Sequence, residues 1–334
     1  MSRRSYESVP LRATASAHPN LAFVKYWGNR DEDLRLPANG SISMTLGALW
    51  TRMAVWFEPR LSADAATVNG RSLSGAALER VARLLARVRD LAGVQAYAAV
   101  ESVSNFRTDN GLASSAAAFA ALSLAATTAL GLELSERELS CLARLGSGSA
   151  ARSVPGGFVE WHAGVSHETS FAETFAPPSH WDLVDLVAVV DRSPKKVGST
   201  EGHALAPSSV LQEARVASAD SRLSACRDAV MHRDFAALAE VVELDSNLMH
   251  AVMMTSNPPL FYWRPSTLAV MGAVRRWRAE GAEVLYTVDA GANVHSVCAP
   301  GHADEVHTLL GQRPEVVEVI RSEVGGPVVL HDLA

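Results

Sequence analysis

The sequence predicts an α+β protein in two lobes, with polar loops meeting in the cleft between them. Strand-like alternation and helix-like apolar stripes interleave along the chain without a regular βαβ rhythm. The 334 residues exceed what one hydrophobic core usually serves, so two closely packed lobes are expected. Gly- and Ser-rich polar segments recur between apolar elements, and such loops gather where lobes face each other. The division is expected near Asp191, giving a first lobe over 1–190 and a second over 191–334.

The elements follow in order. From Ala13 to Lys25 apolar and polar residues alternate around His18-Pro19-Asn20, which predicts two short extended segments joined by a turn. Trp50 to Phe57 alternates again and predicts a strand. Between Gly75 and Gly93, Leu78, Val81, Leu84, Leu85, Val88 and Leu91 share one face, so the segment is an amphipathic helix. Its Arg80, Arg83, Arg87 and Arg89 then read as a solvated face. Asn110 to Leu132 carries no charge and is long enough for a membrane helix. Its Ala, Ser and Thr content instead predicts a small-residue helix inside the globular core.

Ser135 with Glu138 forms a capping box for a short helix ending near Gly146. Gly156-Gly157 breaks the chain before a strand, Phe158 to Trp161. Leu186 to Val190 reads as a buried strand, and Asp191 to Gly202 as a loop. Helices are expected over about Ser208 to Met231 and Asp234 to His250. Another starts at Pro265, with Leu268, Met271, Val274 and Trp277 on one stripe and Gly281 as its stop. Val284 to Val288 and Val294 to Val297 read as strands flanking Asp289-Ala290-Gly291.

Composition narrows the function classes. The chain is 48% hydrophobic and 20% charged with mean hydropathy +0.07, enough apolar surface for a folded protein and against disorder. Net charge is 30 − 36 = −6, so the summed field disfavours nucleic acid or anionic membrane as partners while leaving room for a cationic pocket. Cys141, Cys226 and Cys298 are odd in number, widely spaced and without a metal-ligand pattern. They predict neither disulfides nor zinc, and fit a reducing cytoplasm. MSRRSYESVPLR is not followed by an apolar stretch, so no secretory signal is expected.

Four segments have chemistry in them. Asn110-Gly111-Leu112-Ala113-Ser114-Ser115-Ala116 enters a helix, where glycine permits close backbone approach and N–H groups with serine hydroxyls suit phosphate or a metal ion. It lacks the Gly-Lys-Ser/Thr ending of a Walker loop, and taken alone it also reads as a Gly turn with a Ser cap. Gly146 to Ser153 sets Arg152 just after a flexible polar turn, placed to clamp a carboxylate or phosphate or, alone, to lie on the surface. Lys25 follows apolar Leu21-Ala22-Phe23-Val24, where an ammonium must find a partner or lose its proton. Asp289 leaves a strand at a small-residue turn, either a turn residue or a carboxylate able to orient or deprotonate a hydroxyl.

In this order the pieces resemble the mevalonate diphosphate decarboxylase family of the GHMP kinase superfamily. The matching stretches are Ala17 to Asn20, Lys25 to Asp31, Leu36-Pro37, Ser41 to Leu46 and Asn105 to Thr108. They continue through Gly111 to Ala116, Gly146 to Ser153, Gly156 to Phe158, Ser199 to Gly202 and Asp289 to Gly291, almost the whole chain. The resemblance implies a GHMP kinase-like two-lobed fold and ATP-dependent decarboxylation of a 5-phosphorylated mevalonate, with Mg²⁺ accompanying ATP. The C3 hydroxyl takes the γ-phosphoryl group, and phosphate and carbon dioxide then leave. By the same resemblance Asp289, Lys25 and Arg152 are catalytic, and Asn20, Tyr26, Ser149, Ser199 and Arg152 contact substrate. Gly111, Leu112, Ala113, Ser114 and Ser115 hold the nucleotide, Arg107, not a family residue, adds a cation beside that loop and is expected to join them, and a homodimer is possible.

Position 29 is Asn where the family usually has Lys, 107 is Arg for Pro, 292 is Ala for Pro, and 203 is His for Met. Tyr262 to Thr267 and Val324 to Pro327 resemble the branch that decarboxylates mevalonate 5-phosphate more than the diphosphate enzymes. Isopentenyl phosphate is therefore the favoured product; isopentenyl diphosphate, or a small-molecule kinase without decarboxylation, are the alternatives.

Overall fold

The computed structural model describes residues 12–106, 114–193 and 197–332. Its chain opens with β1 Arg12–Ala17, β2 Asn20–Val24, β3 Asn29–Asp31, β4 Leu36–Pro37, β5 Ser41–Thr45, β6 Thr51–Glu58, β7 Ala65–Val68 and β8 Arg71–Ser72. Then come α1 Gly75–Ala92, β9 Tyr97–Ser104, α2 Ser114–Ala129, α3 Glu136–Gly146, β10 Phe158–Trp161, β11 Ala172–Ala176 and β12 Val184–Val189. The remainder is α4 Ser199–Leu205, α5 Gln212–Ala217, α6 Ala219–His232, α7 Phe235–Thr255, α8 Pro265–Ala279, β13 Val284–Val288, β14 Val294–Cys298, α9 Ala303–Gly311, β15 Glu318–Glu323 and β16 Val329–His331.

Three sheets organise the molecule. The first has the order β16-β1-β6-β9-β7-β8, and α1, α2 and α3 bury their apolar residues on it. α2 lies deepest because its alanines let the backbone approach the sheet closely; Ala117, Ala120, Ala121, Ala125 and Ala126 are fully buried. The uncharged segment is thus a core helix, and no helix among the described residues is long and apolar enough to cross a membrane. α1 ends at Gly93 in the left-handed conformation (φ 66°), and α3 starts with the Ser135–Glu138 capping box.

The second sheet, β11-β10-β5-β2, packs against α6 and α7, and the same core reaches Val187, Leu285 and Val297 of the third sheet, β13-β14-β12-β15. α8 and α9 bury their apolar faces in the core of that third sheet. Strand β12 lies ahead of residue 191 yet is an inner strand of this sheet, paired with β14 and β15. At the other end β16 returns to the first sheet, where Thr14 faces His331 and Ser16 faces Val329.

Several expectations need correction. Gly146 to Ser153 is not a flexible turn: Gly148–Ser153 is a buried 3₁₀ turn. The 191–202 segment is not all loop, since Ser199 begins α4. The helix expected over Ser208 to Met231 breaks at Ser218, whose hydroxyl bonds back to the Ala214 carbonyl, and becomes α5 and α6. On α8 Leu268 is 52% exposed, and Val270 and Ala273 join Met271, Val274 and Trp277 in the core instead. Sequence periodicity missed α9 and several strands, among them β5, β9, β11, β15 and β16.

Candidate active site

The site forms where β2, the 3₁₀ turn, α4 and the end of β13 converge. A cavity of about 120 Å³ is lined there by Asn20, Lys25, Tyr26, Ser115, Ser149, Arg152, Ser199 and Asp289, together with Arg35, Thr200 and His203. It thus brings together most of the residues singled out from sequence. Arg107, Gly111, Leu112 and Ala113 lie outside the described residues. Ser114 lines a second cavity of about 560 Å³, and Ser115 lines both.

Lys25 is 1% exposed and solves its burial by pairing: Nζ donates to Asp289 Oδ1 at 2.6 Å. Its backbone is held as well. The Lys25 N–H donates to Asp245 Oδ1 (2.7 Å), and its carbonyl accepts from Arg215 Nη2 (2.7 Å) and Asn39 Nδ2 (3.1 Å). Asp245 in turn accepts from Arg222 Nε at 2.6 Å. This buried network spans α5, α6 and α7, and no local motif announces it: Asp245 stands beside Glu243, Ser246 and Asn247, where nothing in the sequence sets it apart.

Arg152 is 3% exposed, not on the surface. Nε donates to Asn20 Oδ1 (3.1 Å) and Nη1 to Ser41 Oγ (2.5 Å), while Asn20 Nδ2 donates to the Ser149 carbonyl and to Ser153 Oγ. Burial lowers its pKa to about 10, against the pull of Asp289 and Tyr26, so the guanidinium stays charged at neutral pH.

Tyr26 donates its hydroxyl to Asn29 Oδ1, meets Trp161 edge-on at 4.8 Å and stacks on His203 at 4.1 Å. Burial raises the Tyr26 phenol well above its ordinary value. Gly148 is required here, because a Cβ would stand 2.6 Å from the Tyr26 ring. His203 Nδ1 accepts the Gly28 N–H at 2.9 Å, leaving Nε2–H as the ring's donor. Burial, with Arg35, Arg215 and Arg152 nearby, pushes the His203 pKa down to about 3.

The second cavity corrects the reading of α1. Arg83 and Arg87 are exposed as expected, but Arg80 is half-buried: it lines this cavity with Asn69, Arg71 and Ser104, lies over the Phe119 ring at 5.4 Å, and reaches Thr200 Oγ1 at 3.4 Å. Arg89 is likewise engaged, paired with Asp64 at 2.8 Å. Among the described residues no cluster of three or more His, Cys, Asp or Glu is able to hold a metal ion.

This two-lobed α+β fold, with its polar, cationic cleft beside a larger cavity, is of the GHMP kinase class, shown by its superposition on solved mevalonate diphosphate decarboxylases. Residues 17–172 match the diphosphomevalonate decarboxylase-like N-terminal domain, and 185–324 the mevalonate 5-diphosphate decarboxylase C-terminal domain. The phosphomevalonate decarboxylase of Haloferax volcanii is 34% identical over 96% of this chain and 98% of its own. Mevalonate diphosphate decarboxylase from Staphylococcus aureus superposes with TM-score 0.91 at 37% identity, covering 96% of this chain and 98% of its own. A complex of MDDEF with MVAPP, AMPPCP and magnesium gives TM-score 0.91 at 36% identity over 97% and 99%. The chain belongs to the diphosphomevalonate decarboxylase family.

Proposed function

We propose that this chain carries out ATP-dependent decarboxylation of a 5-phosphorylated mevalonate, mevalonate 5-phosphate in preference to the diphosphate. The observation that carries the reading is the Lys25–Asp289 pair standing in one cleft with the buried Arg152. A carboxylate, an ammonium and a guanidinium are the groups this reaction needs, and the fold holds all three rigidly.

Asp289 orients the C3 hydroxyl and takes its proton as the oxygen attacks the γ-phosphorus of ATP and ADP leaves. Among the described residues Arg152 Nη2 takes no part in its bonds to Asn20 and Ser41, and with it Arg152 holds the substrate carboxylate. When the C–C bond to that carboxylate breaks, its electron pair forms the new double bond while the C3–O bond breaks and phosphate departs. Lys25 offsets the charge that gathers between Asp289 and the departing phosphate. Asn20, Tyr26, Ser149 and Ser199 shape the substrate's seat.

ATP is assigned to the second cavity, with Ser114, Ser115 and Arg80 toward its phosphates; for Gly111, Leu112 and Ala113 the nucleotide role rests on the family resemblance, and for Arg107 on its charge, since all four lie outside the described residues. Arg80 and the shared position of Ser115 support this site, and the structural relative MDDEF, solved in complex with AMPPCP and magnesium, supports a nucleotide as ligand. Mg²⁺ fits as an ion brought by the phosphates rather than held in a protein cage, with Ser115 and Asp289 as the oxygen donors at hand. When bound it withdraws charge from the phosphate oxygens.

The monophosphate preference is supported by the full-length match to the Haloferax enzyme and by Asn29, whose amide is committed to Tyr26 and Glu32. Three free, buried cysteines support a reducing cytoplasm as the location. The resemblance implies a homodimer, which sedimentation equilibrium tests directly.

The experiment is coupled release of ADP and carbon dioxide with Mg-ATP, comparing the two substrates by kcat/KM. Higher efficiency on mevalonate 5-phosphate is expected. Preference for the diphosphate would overturn the substrate choice alone, and ADP without carbon dioxide would replace the decarboxylase reading by a kinase. Asp289→Asn and Lys25→Met are each expected to lower kcat by about 10³-fold or more, and Arg152→Ala to raise substrate KM as well.

A further inference from the structure

The cations facing the cleft are not equally occupied. Lys25 is paired with Asp289, and Arg152 gives two of its nitrogens to Asn20 and Ser41. Arg35, on the β3–β4 hairpin, donates Nε to the Leu145 carbonyl at 3.0 Å in the last turn of α3, where a cation suits the helix dipole. That bond orients the guanidinium plane. Among the described residues neither terminal nitrogen of Arg35 has an acceptor, and no carboxylate lies within ion-pair distance.

Its neighbours on the hairpin are not available for the same task. Asn29 is committed to Tyr26 and Glu32, and Arg30 reaches out to the Ala163 carbonyl. Arg35 is held in the cleft at a cost, since its backbone sits at φ 49°, a left-handed conformation that strains most side chains by about 1 kcal/mol or more. Asp31 Oδ1 fixes the turn by accepting the Leu34 N–H at 2.8 Å. The charge acts on the cleft: it lowers the His203 pKa and opposes the upward push of burial on Tyr26.

A substrate anionic at both ends needs two cations, and the buried Arg152 serves one. We propose that Arg35 is a specificity-determining residue that binds the 5-phosphoryl group, its free guanidinium edge facing the phosphate oxygens together with the hydroxyls of Ser147 and Ser149. This rests on the function proposed above. Phosphate takes a guanidinium fork in two parallel bonds, which a lysine does not reproduce.

The test is steady-state kinetics with mevalonate 5-phosphate and Mg-ATP on wild type, Arg35→Asn and Arg35→Lys. Asparagine tolerates the left-handed backbone, so the variant is expected to melt no lower than wild type. Arg35→Asn should raise KM for mevalonate 5-phosphate at least about tenfold, with kcat within about threefold and KM for ATP unchanged; Arg35→Lys should restore part of the loss. A change in substrate KM below about twofold, or a rise confined to ATP, would overturn the assignment. Failure of the wild type to release carbon dioxide from either phosphorylated mevalonate would sink the functional reading itself, a result distinct from an active wild type and an indifferent Arg35→Asn.

Discussion

Lys25 is fixed by its backbone as firmly as by its side chain. With Asp245 on its N–H and Arg215 on its carbonyl, the ammonium reaches Asp289 from a main chain that has no freedom to drift. Asp245→Asn would leave Arg215 and Arg222 as buried cations without their carboxylate, so destabilisation of about 3–5 kcal/mol is expected in urea unfolding. His203 adds a pH dependence. Its folded pKa of about 3 lies below the ordinary histidine value, so the unfolded chain binds the extra proton and stability falls as pH drops from about 6.5 toward 3. His203→Met should flatten part of that fall, read as urea midpoints at pH 6.5 and 4.5; an unchanged slope would show that the ring protonates without cost. At this scale the sequence announces residues that break a local pattern, such as Lys25 on an apolar stretch. It conceals Asp245, Arg215 and Arg35, whose meaning depends on partners 110 to 220 positions away.

The elements differ in how openly they are written. α1 has its apolar stripe and terminal glycine, and α3 its apolar stripe and capping box, within a single stretch, so local chemistry suffices. The Gly146–Ser153 segment reads as flexible because its residues are small and polar, yet they are small because Tyr26 and Phe119 press against Gly148 and Gly146. Gly148→Ala is therefore expected to displace Tyr26 and lower kcat/KM by at least about tenfold while far-UV circular dichroism stays unchanged. Ser135→Ala removes the cap of α3, and a loss of about 1 kcal/mol in urea unfolding should follow. Strands β15 and β16 escape the periodicity argument because both are largely exposed or half exposed, with little alternation to read.

Across the whole molecule, composition and element order were enough to predict two lobes and a shared cleft, but not how the lobes are joined. β15 closes the third sheet, the chain then threads past Gly47 and Gly156, and β16 ends beside β1 in the first sheet. Gly156 admits this passage; a Cβ there would stand 2.3 Å from the backbone of Gly326 and Pro327. Removal of residues 327–334 should expose the edge of β1, measured as faster aggregation on heating and weaker amide protection in β1 than in β9. The arrangement also sets a timetable for the ribosome. β1 emerges well before β16, so this edge of the first sheet stays open while the chain between them is made, and it must be kept from other nascent chains until β16 arrives.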